Sequence, residues 1–284
     1  MEIIKPLSKR RRVTQLVFLI VVFLVFGPVL VLMSSGYSFK DVLSLSKIKL
    51  LKTGGIYVAE IGANSSVVLD NKTGKESSFL DRTVLFQGLS TDLHTIKVKR
   101  QGYREWSKSV SVYPNRVTEI RPVLIKENPK TGEVLATSTN LALKAILSSE
   151  QKTATSTFEF LEKKNYSVDL KNRDIVIAWK SADDSPYYLC TFNECLATTT
   201  VSVSEDIVDY EWFQNRNDAM IVLSEGAVFV VELDPRNGRI IVPILKIKDL
   251  PLSKTPPKNV KTSLLSYNDS LYIYHGGLFF ELDL

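Results

Sequence analysis

The chain has 284 residues, 44% of them hydrophobic and 24% charged, with a formal net charge of +5. That length holds one or two domains with real cores, and that apolar share excludes a disordered chain. The basic excess sits almost wholly at the start: Lys5, Lys9, Arg10, Arg11 and Arg12 stand against Glu2 ahead of Val13, and the remainder is close to neutral. No basic face is left on the body for nucleic acid, so that class of partner is set aside.

Residues 1–12 read as a basic cytoplasmic tail. Residues 13–33, VTQLVFLIVVFLVFGPVLVLM, form an apolar run, and no charged side chain follows until Lys40. As a helix the run spans roughly 31 Å, the thickness of a bilayer's hydrocarbon core. Positive charge flanking a span stays in the cytoplasm, so Lys9, Arg10, Arg11 and Arg12 predict a single pass with the bulk of the chain outside. A secretory signal usually has an apolar region of about 7–15 residues, shorter than this one, which favours an uncleaved signal-anchor. The alternative is cleavage after the small residues Ser34 and Gly36. Gly27 and Pro28 fall within the span, where a membrane helix tolerates a kink. Residues 34–53 read as a juxtamembrane linker with lysines near headgroups.

From Gly54 to Ile125 the pattern has period two. In HTIKVKR, residues 94–100, Ile96 and Val98 alternate with Lys97 and Lys99, which predicts a strand with one buried face. GIYVAEIG, SVVLD, TVLFQG, SKSVSVY and VTEIRPVLI are further strand candidates. The stretches 70–75, 101–103 and 113–116 are turns between them. Short strands at this density predict a small antiparallel β-sandwich, residues 54–125, able to fold by itself.

LSTDLHTIKVKRQGYREWSKSVSV resembles the second half of a PEGA domain, a small β-sandwich of bacterial and archaeal surface and envelope proteins. The shared features are Leu89, the strand from His94, the Gly102-Tyr103 pair, Trp106 and the valines that follow. GIYVAEIGANSSVVLD resembles its first half, with Gly62-Ala63 near the usual Gly-Ala. The proline before Gly-Ala is absent, the Gly-x-Thr-Pro turn reads Lys75-Glu76-Ser77-Ser78, and Asp92 replaces a common glycine. Tyr103 and Trp106 are expected to cover one end of the core; carbohydrate stacking is the alternative role.

Residues 126–157 are rich in Ser and Thr and read as a linker with a short helix over NLALKAILSSEQK. Strands return over residues 158–284 with an internal echo: Trp179 in AWKSADDSPYYLC aligns with Trp212 in EWFQNRNDAMIVL, and VELD at 231–234 with FELD at 280–283. Such units bury their faces against one another. They resemble blades of TolB-like β-propellers. About three are found where a closed ring usually has at least four, so a second copy is a candidate to complete the sheet. The fold class expected is mainly β: one transmembrane helix, a PEGA-like sandwich and a C-terminal antiparallel domain of blade-like repeats.

The chain is poor in catalytic groups. His94 falls in the inward phase of its strand and reads as a hydrogen-bonded core histidine; His275 precedes Gly276-Gly277 and reads as a turn residue. Asp183-Asp184 read as a solvated turn before a calcium site, and DPRNGR, 234–239, as a hairpin turn with a salt bridge. No cofactor, metal or catalytic residue is expected. Cys190 and Cys195 are the only cysteines. In an exported domain they predict a structural disulfide across a hairpin, with YYLC as one arm, because two thiolates find few further metal ligands here. The function expected is a non-enzymatic, membrane-anchored surface or envelope protein that binds an envelope glycan or a surface protein. The alternatives are an envelope glycan hydrolase and a sensor ectodomain acting through a partner.

Overall fold

The structure is a computed structural model that describes residues 9–40, 49–78, 81–135, 137–148, 165–181, 184–191, 194–213, 216–254, 260–267 and 270–284. It is mainly β, with an N-terminal apolar helix and several antiparallel sheets. Its residues fall in two compact units, within Met1–Tyr57, Leu85–His94 and Ser111–Thr118 and within Val58–Val84, Thr95–Val110 and Glu119–Leu284.

The first unit begins with helix α1, Lys9–Ser34, which carries Pro28 inside it. Arg10–Ser34 is long and apolar enough to cross a membrane and buries none of its residues against the protein. A helix apolar all round with no protein partner has its surface suited to lipid. Arg10, Arg11 and Arg12 lie exposed in its first turns. Two short strands follow, β1 (Tyr37–Lys40) and β2 (Lys49–Lys52), paired antiparallel with Tyr37 opposite Lys52. The linker read at 34–53 thus contains a β-pair. Its exit is tied down: the Gly36 carbonyl accepts from both the Thr53 amide and the Thr53 hydroxyl at 2.8 Å, and the Asn115 amide donates to the Thr53 carbonyl at 2.8 Å.

Seven strands occupy residues 54–120: β3 (Gly54–Val58), β4 (Ser65–Leu69), β5 (Thr73–Glu76), β6 (Val84–Leu89), β7 (Leu93–Arg100), β8 (Trp106–Ser111) and β9 (Val117–Ile120). They make a three-stranded sheet, β6-β3-β9, and a four-stranded sheet, β5-β4-β7-β8. Alternation holds as expected on β7, where His94, Ile96 and Val98 are buried between less buried neighbours. One expectation is corrected. The stretch read as a turn at 70–75 is a tight reversal at Asp70 and Asn71, with φ of 49° and 58°, after which Thr73–Glu76 pairs with β4. Asp and Asn tolerate that left-handed backbone, so the reversal needs fewer residues than composition suggests.

The rest of the second unit is a set of antiparallel meanders. The first is β11 (Tyr166–Lys171), β12 (Asp174–Trp179) and β13 (Thr198–Ser202). The second is β14 (Ile207–Trp212), β15 (Ala219–Ser224), β16 (Ala227–Glu232) and β17 (Ile241–Lys246). The third runs β18 (Thr262–Tyr267), β19 (Ser270–His275), β20 (Leu278–Asp283), and its outer position beside β20 is taken by β10 (Lys130–Glu133). Lys130 pairs with Asp283 and Glu133 with Phe280. The stretch read as linker therefore supplies a strand, and helix α2, Thr137–Ser148, follows it. Gly276 and Gly277, with φ of 55° and 96°, make the two-residue reversal between β19 and β20 that a hairpin's twist requires. His275 is the last residue of β19 rather than part of that turn.

Burial explains the order of the meanders. On β12, Ile175, Ile177 and Trp179 are buried and alternate residues are less so, the mark of a sheet covered on one face. On β15 every residue from Ala219 to Ser224 is buried. Met220 and Val222 join one core with Ile175, Ile177 and Val201 of the first meander, while Ala219, Ile221 and Leu223 join another with Leu264, Ile273 and Phe280 of the third. The second meander is thus covered on both faces, which is why AMIVL carries no polar alternation. The third meander's far face, with Leu265, Tyr272 and Phe279, is covered by Leu143 of α2.

Candidate functional site

The largest concentration of buried charge among the described residues lies where β8 and the chain after β9 meet the second meander. On β8, Trp106, Lys108 and Val110 share the inward phase, so a lysine stands in an apolar series. Its ammonium donates to Glu232 Oε1 at 3.1 Å and to the Asp234 carbonyl at 2.8 Å, with Asp234 Oδ2 at 3.4 Å. The Lys108 and Glu232 side chains are 2% and 3% exposed. Burial holds the Glu232 carboxyl up to about 7, against the pull of Lys108. Glu232 closes β16 and Asp234 follows it, so the end of one strand places both carboxylates.

Two arginine forks extend the network. Arg236 grips Asp234, with Nε to Oδ1 at 2.9 Å and Nη2 to Oδ2 at 2.8 Å, and also donates to the Glu119 carbonyl at 2.8 Å. Arg216 grips Asp218 in the same fashion, with Nε to Oδ1 at 2.8 Å and Nη2 to Oδ2 at 2.9 Å. Its remaining donors reach the carbonyls of Arg121 and Pro122 at 2.7 and 2.9 Å. Bidentate pairs of this kind fix geometry as well as charge. Tyr187 lies between two guanidinium groups, Arg121 at 5.1 Å and Arg236 at 5.6 Å from its ring centre, and its hydroxyl donates to Asp218. Burial keeps the phenols of Tyr187 and Tyr188 protonated far above the usual range.

Cys190 and Cys195 belong to this region. They are bonded, with Cα atoms 3.9 Å apart, and form an isolated antiparallel bridge. One arm differs from expectation: Tyr187–Leu189 is a turn of 3₁₀ helix, not a strand. Pro186 enters it, and Tyr188 and Leu189 are pulled into the core with Ile175 and Trp212, which a flat hairpin arm could not achieve. The disulfide thus follows directly on the 3₁₀ turn that carries Tyr187 to Asp218 and Tyr188 into the core.

The aromatic residues singled out in the sequence are mostly inside. Trp106, Trp179 and Trp212 are 3%, 9% and 3% exposed. The two echoing tryptophans sit in one core, and Trp212 meets Tyr166 edge-on at 5.3 Å. Tyr103 is half-buried under the Arg100 guanidinium at 4.5 Å. Their packing leaves only Tyr103 with an accessible ring. His94 is buried and its Nε2 is 2.9 Å from the Ser90 carbonyl. His275, also buried, bonds Thr262 at 2.9 Å, and burial lowers its pKa. Asp183 lies outside the described residues; Asp184 accepts from Asn165 and Ser181.

Two hollows stand out. One of about 590 Å³ lies beside β10, β19 and β20, with Trp212, Ile221, Ser270, Glu281 and Leu284 among its walls. The other, about 1100 Å³ and open, lies in the first unit where α1 gives way to the three-stranded sheet. Among the described residues no three His, Cys, Asp or Glu side chains converge as a metal site. Of this network the sequence reading held the salt bridge within DPRNGR, which Asp234 and Arg236 form; the other members escaped it because they come from separate stretches. Lys108, in the inward phase of SKSVSVY between Trp106 and Val110, is a further signal that could have pointed to it. No family model matches the chain, and no curated protein matches it.

Proposed function

We propose that this chain is a single-pass membrane protein, N-terminus in the cytoplasm, whose exported β-rich part is a non-catalytic interaction module of the cell surface or envelope. In this reading residues 54–125 are a PEGA-like sandwich, and the meanders of residues 158–284 are propeller-like blades. The observation that carries it is α1: an apolar helix, unburied by protein, behind four consecutive basic residues and ahead of a disulfide-bonded β domain. The repeated four-stranded meander supports the blade reading, since β10 fills beside β20 the position that β17 fills beside β16. The sealing of Glu232 by Lys108 favours a structural role for that carboxyl over an acid in a hydrolase cleft.

Protease added to intact cells tests the topology. The expected outcome is digestion of the chain beyond Ser34, with a membrane-bound remnant holding α1, and Cys190 joined to Cys195 in unreduced protein. A mature N-terminus at Tyr37, or full protection of the chain, overturns the anchor.

A further inference from the structure

The three meanders end differently at their last strands. β17 and β10 each lie at the edge of a four-stranded sheet, whereas the first meander has three strands and ends on β13. An edge strand offers unpaired N–H and C=O groups to any extended chain, and folded proteins block such edges with proline, charge or a bulge. β17 carries Pro243 and a register shift against β16, and the Pro243 carbonyl accepts from Arg104 at 3.3 Å. β10 is KTGE, four exposed residues with a charge at each end. β11, at the other edge of the first meander, carries Asp169 and Lys171. β13 reads TTTVS, with no proline, glycine or charge, and its register against β12 has no shift.

The ladder fixes which groups of β13 are open. The Trp179 amide donates to the Ala197 carbonyl, and the Val203 amide to the Arg173 carbonyl. Residues 197, 199, 201 and 203 therefore face β12 in the hydrogen-bonded phase, and Thr198, Thr200 and Ser202 turn N–H and C=O away from it. On that side these three residues have no hydrogen-bond partner. Their side chains are exposed, while Thr199 and Val201 between them are buried, Val201 in the core with Ile175 and Ile177. The edge is thus held extended before anything joins it, which lowers the cost of joining.

The side chains of β13 suit its own copy. In antiparallel pairing about a two-fold axis at Thr200, Thr200 lies opposite Thr200 and Thr198 opposite Ser202. All three pairs fall in the hydrogen-bonded phase, so every outward group of both strands is satisfied. Hydroxyl side chains then meet hydroxyl side chains, a favourable cross-strand pairing, and no charge meets its like.

We propose that β13 is a homodimerisation edge, at which two copies of the chain join their first meanders into one continuous antiparallel sheet. The pairing goes beyond the anchor reading and holds whether or not α1 is retained. The test uses the full chain in mild detergent with one added cysteine, since Cys190 and Cys195 are bonded to each other. Facing Cα atoms in this phase are about 5.5 Å apart, within disulfide reach. Two copies of residue 198 would instead be roughly 14 Å apart. Under mild oxidation Thr200→Cys is expected to give covalent dimer, as is a mixture of Thr198→Cys and Ser202→Cys chains, each at about tenfold the yield of Thr198→Cys alone. Thr200→Pro removes an outward N–H and leaves the ladder to β12 intact, so it should lower the dimer fraction in native mass spectrometry by about tenfold with melting of the first meander retained. Should that variant fail to fold, the cysteine register decides by itself. A monomer throughout, equal yields from all cysteine positions, or a dimer that survives Thr200→Pro in a folded chain overturns the pairing. A different protein joined at position 200 when the same variant is oxidised in cells overturns the second copy as the occupant.

Discussion

Lys108 shows how one residue's position in a strand changes its role. Placed between Trp106 and Val110 in the inward phase, it must meet anions or be neutralised, and Glu232 and Asp234 meet it. Lys108→Met would leave Glu232 buried without its cation, while Asp234 keeps Arg236, and should cost about 3–5 kcal/mol. Glu232 makes a separate prediction through pH. Its carboxyl, raised from 4.5 to about 7 by burial, keeps its proton when folded over a range where the unfolded chain has lost it. The folded state binds more protons there, so the stability from this group falls as pH rises from about 4.5 to 7 and is level beyond. Melting curves of the wild type and Glu232→Gln across that range should converge or cross as pH rises, the relative change being on the order of 3 kcal/mol. A difference independent of pH would mean that Glu232 is ionised throughout.

At the scale of elements, the second meander is distinguished by two covered faces. Met220 and Ile221 are neighbours on β15, yet one faces the first meander's core and the other the third's. In a half-exposed strand only one of two successive residues would matter. Here Met220→Ala and Ile221→Ala should each cost about 2–5 kcal/mol in denaturant unfolding of the detergent-solubilised chain. A negligible cost at either would mean that one face of the sheet is open. The same double burial accounts for β10: the third meander needs an outer strand and a cover, and the stretch between Lys130 and Ser148 provides both. Polarity disguised β10, because all four of its residues are exposed and its place rests on backbone pairing with β20.

At the scale of the molecule, residues 58–84, 95–110 and 119–125 share one compact unit with the meanders. Val123 and Ile125 belong to the core built on Phe213, Ile221 and Phe280, and the carbonyls of Glu119, Arg121 and Pro122 are held by Arg236 and Arg216. These contacts bear directly on the expectation that the segment of residues 54–125 folds alone. Expressed by itself it should melt broadly and at lower temperature than the full chain, since it would expose those two side chains and leave Lys108 without its partners. A sharp transition at the full chain's temperature would show that the contacts add nothing.

The apolar run from Val13 to Met33, the basic flank and the alternation in HTIKVKR were enough to specify a membrane-type helix and a mainly β body, because each is a local pattern that solvent alone interprets. Cys190 and Cys195 were legible for the same reason: with four residues between them, they can meet whatever the rest of the chain does. The recurrence of tryptophan at 179 and 212 was visible too, although it did not reveal that the two share one core. What the sequence could not decide were the relations between distant stretches. Whether AMIVL is covered on one face or two, which strand completes the third meander, and which carboxylates receive Lys108 all depend on residues far apart in the chain meeting in space. Those contacts are selected by the collective burial of the folded chain, where an ammonium inside a core is stable only beside the carboxylates that tertiary packing brings to it.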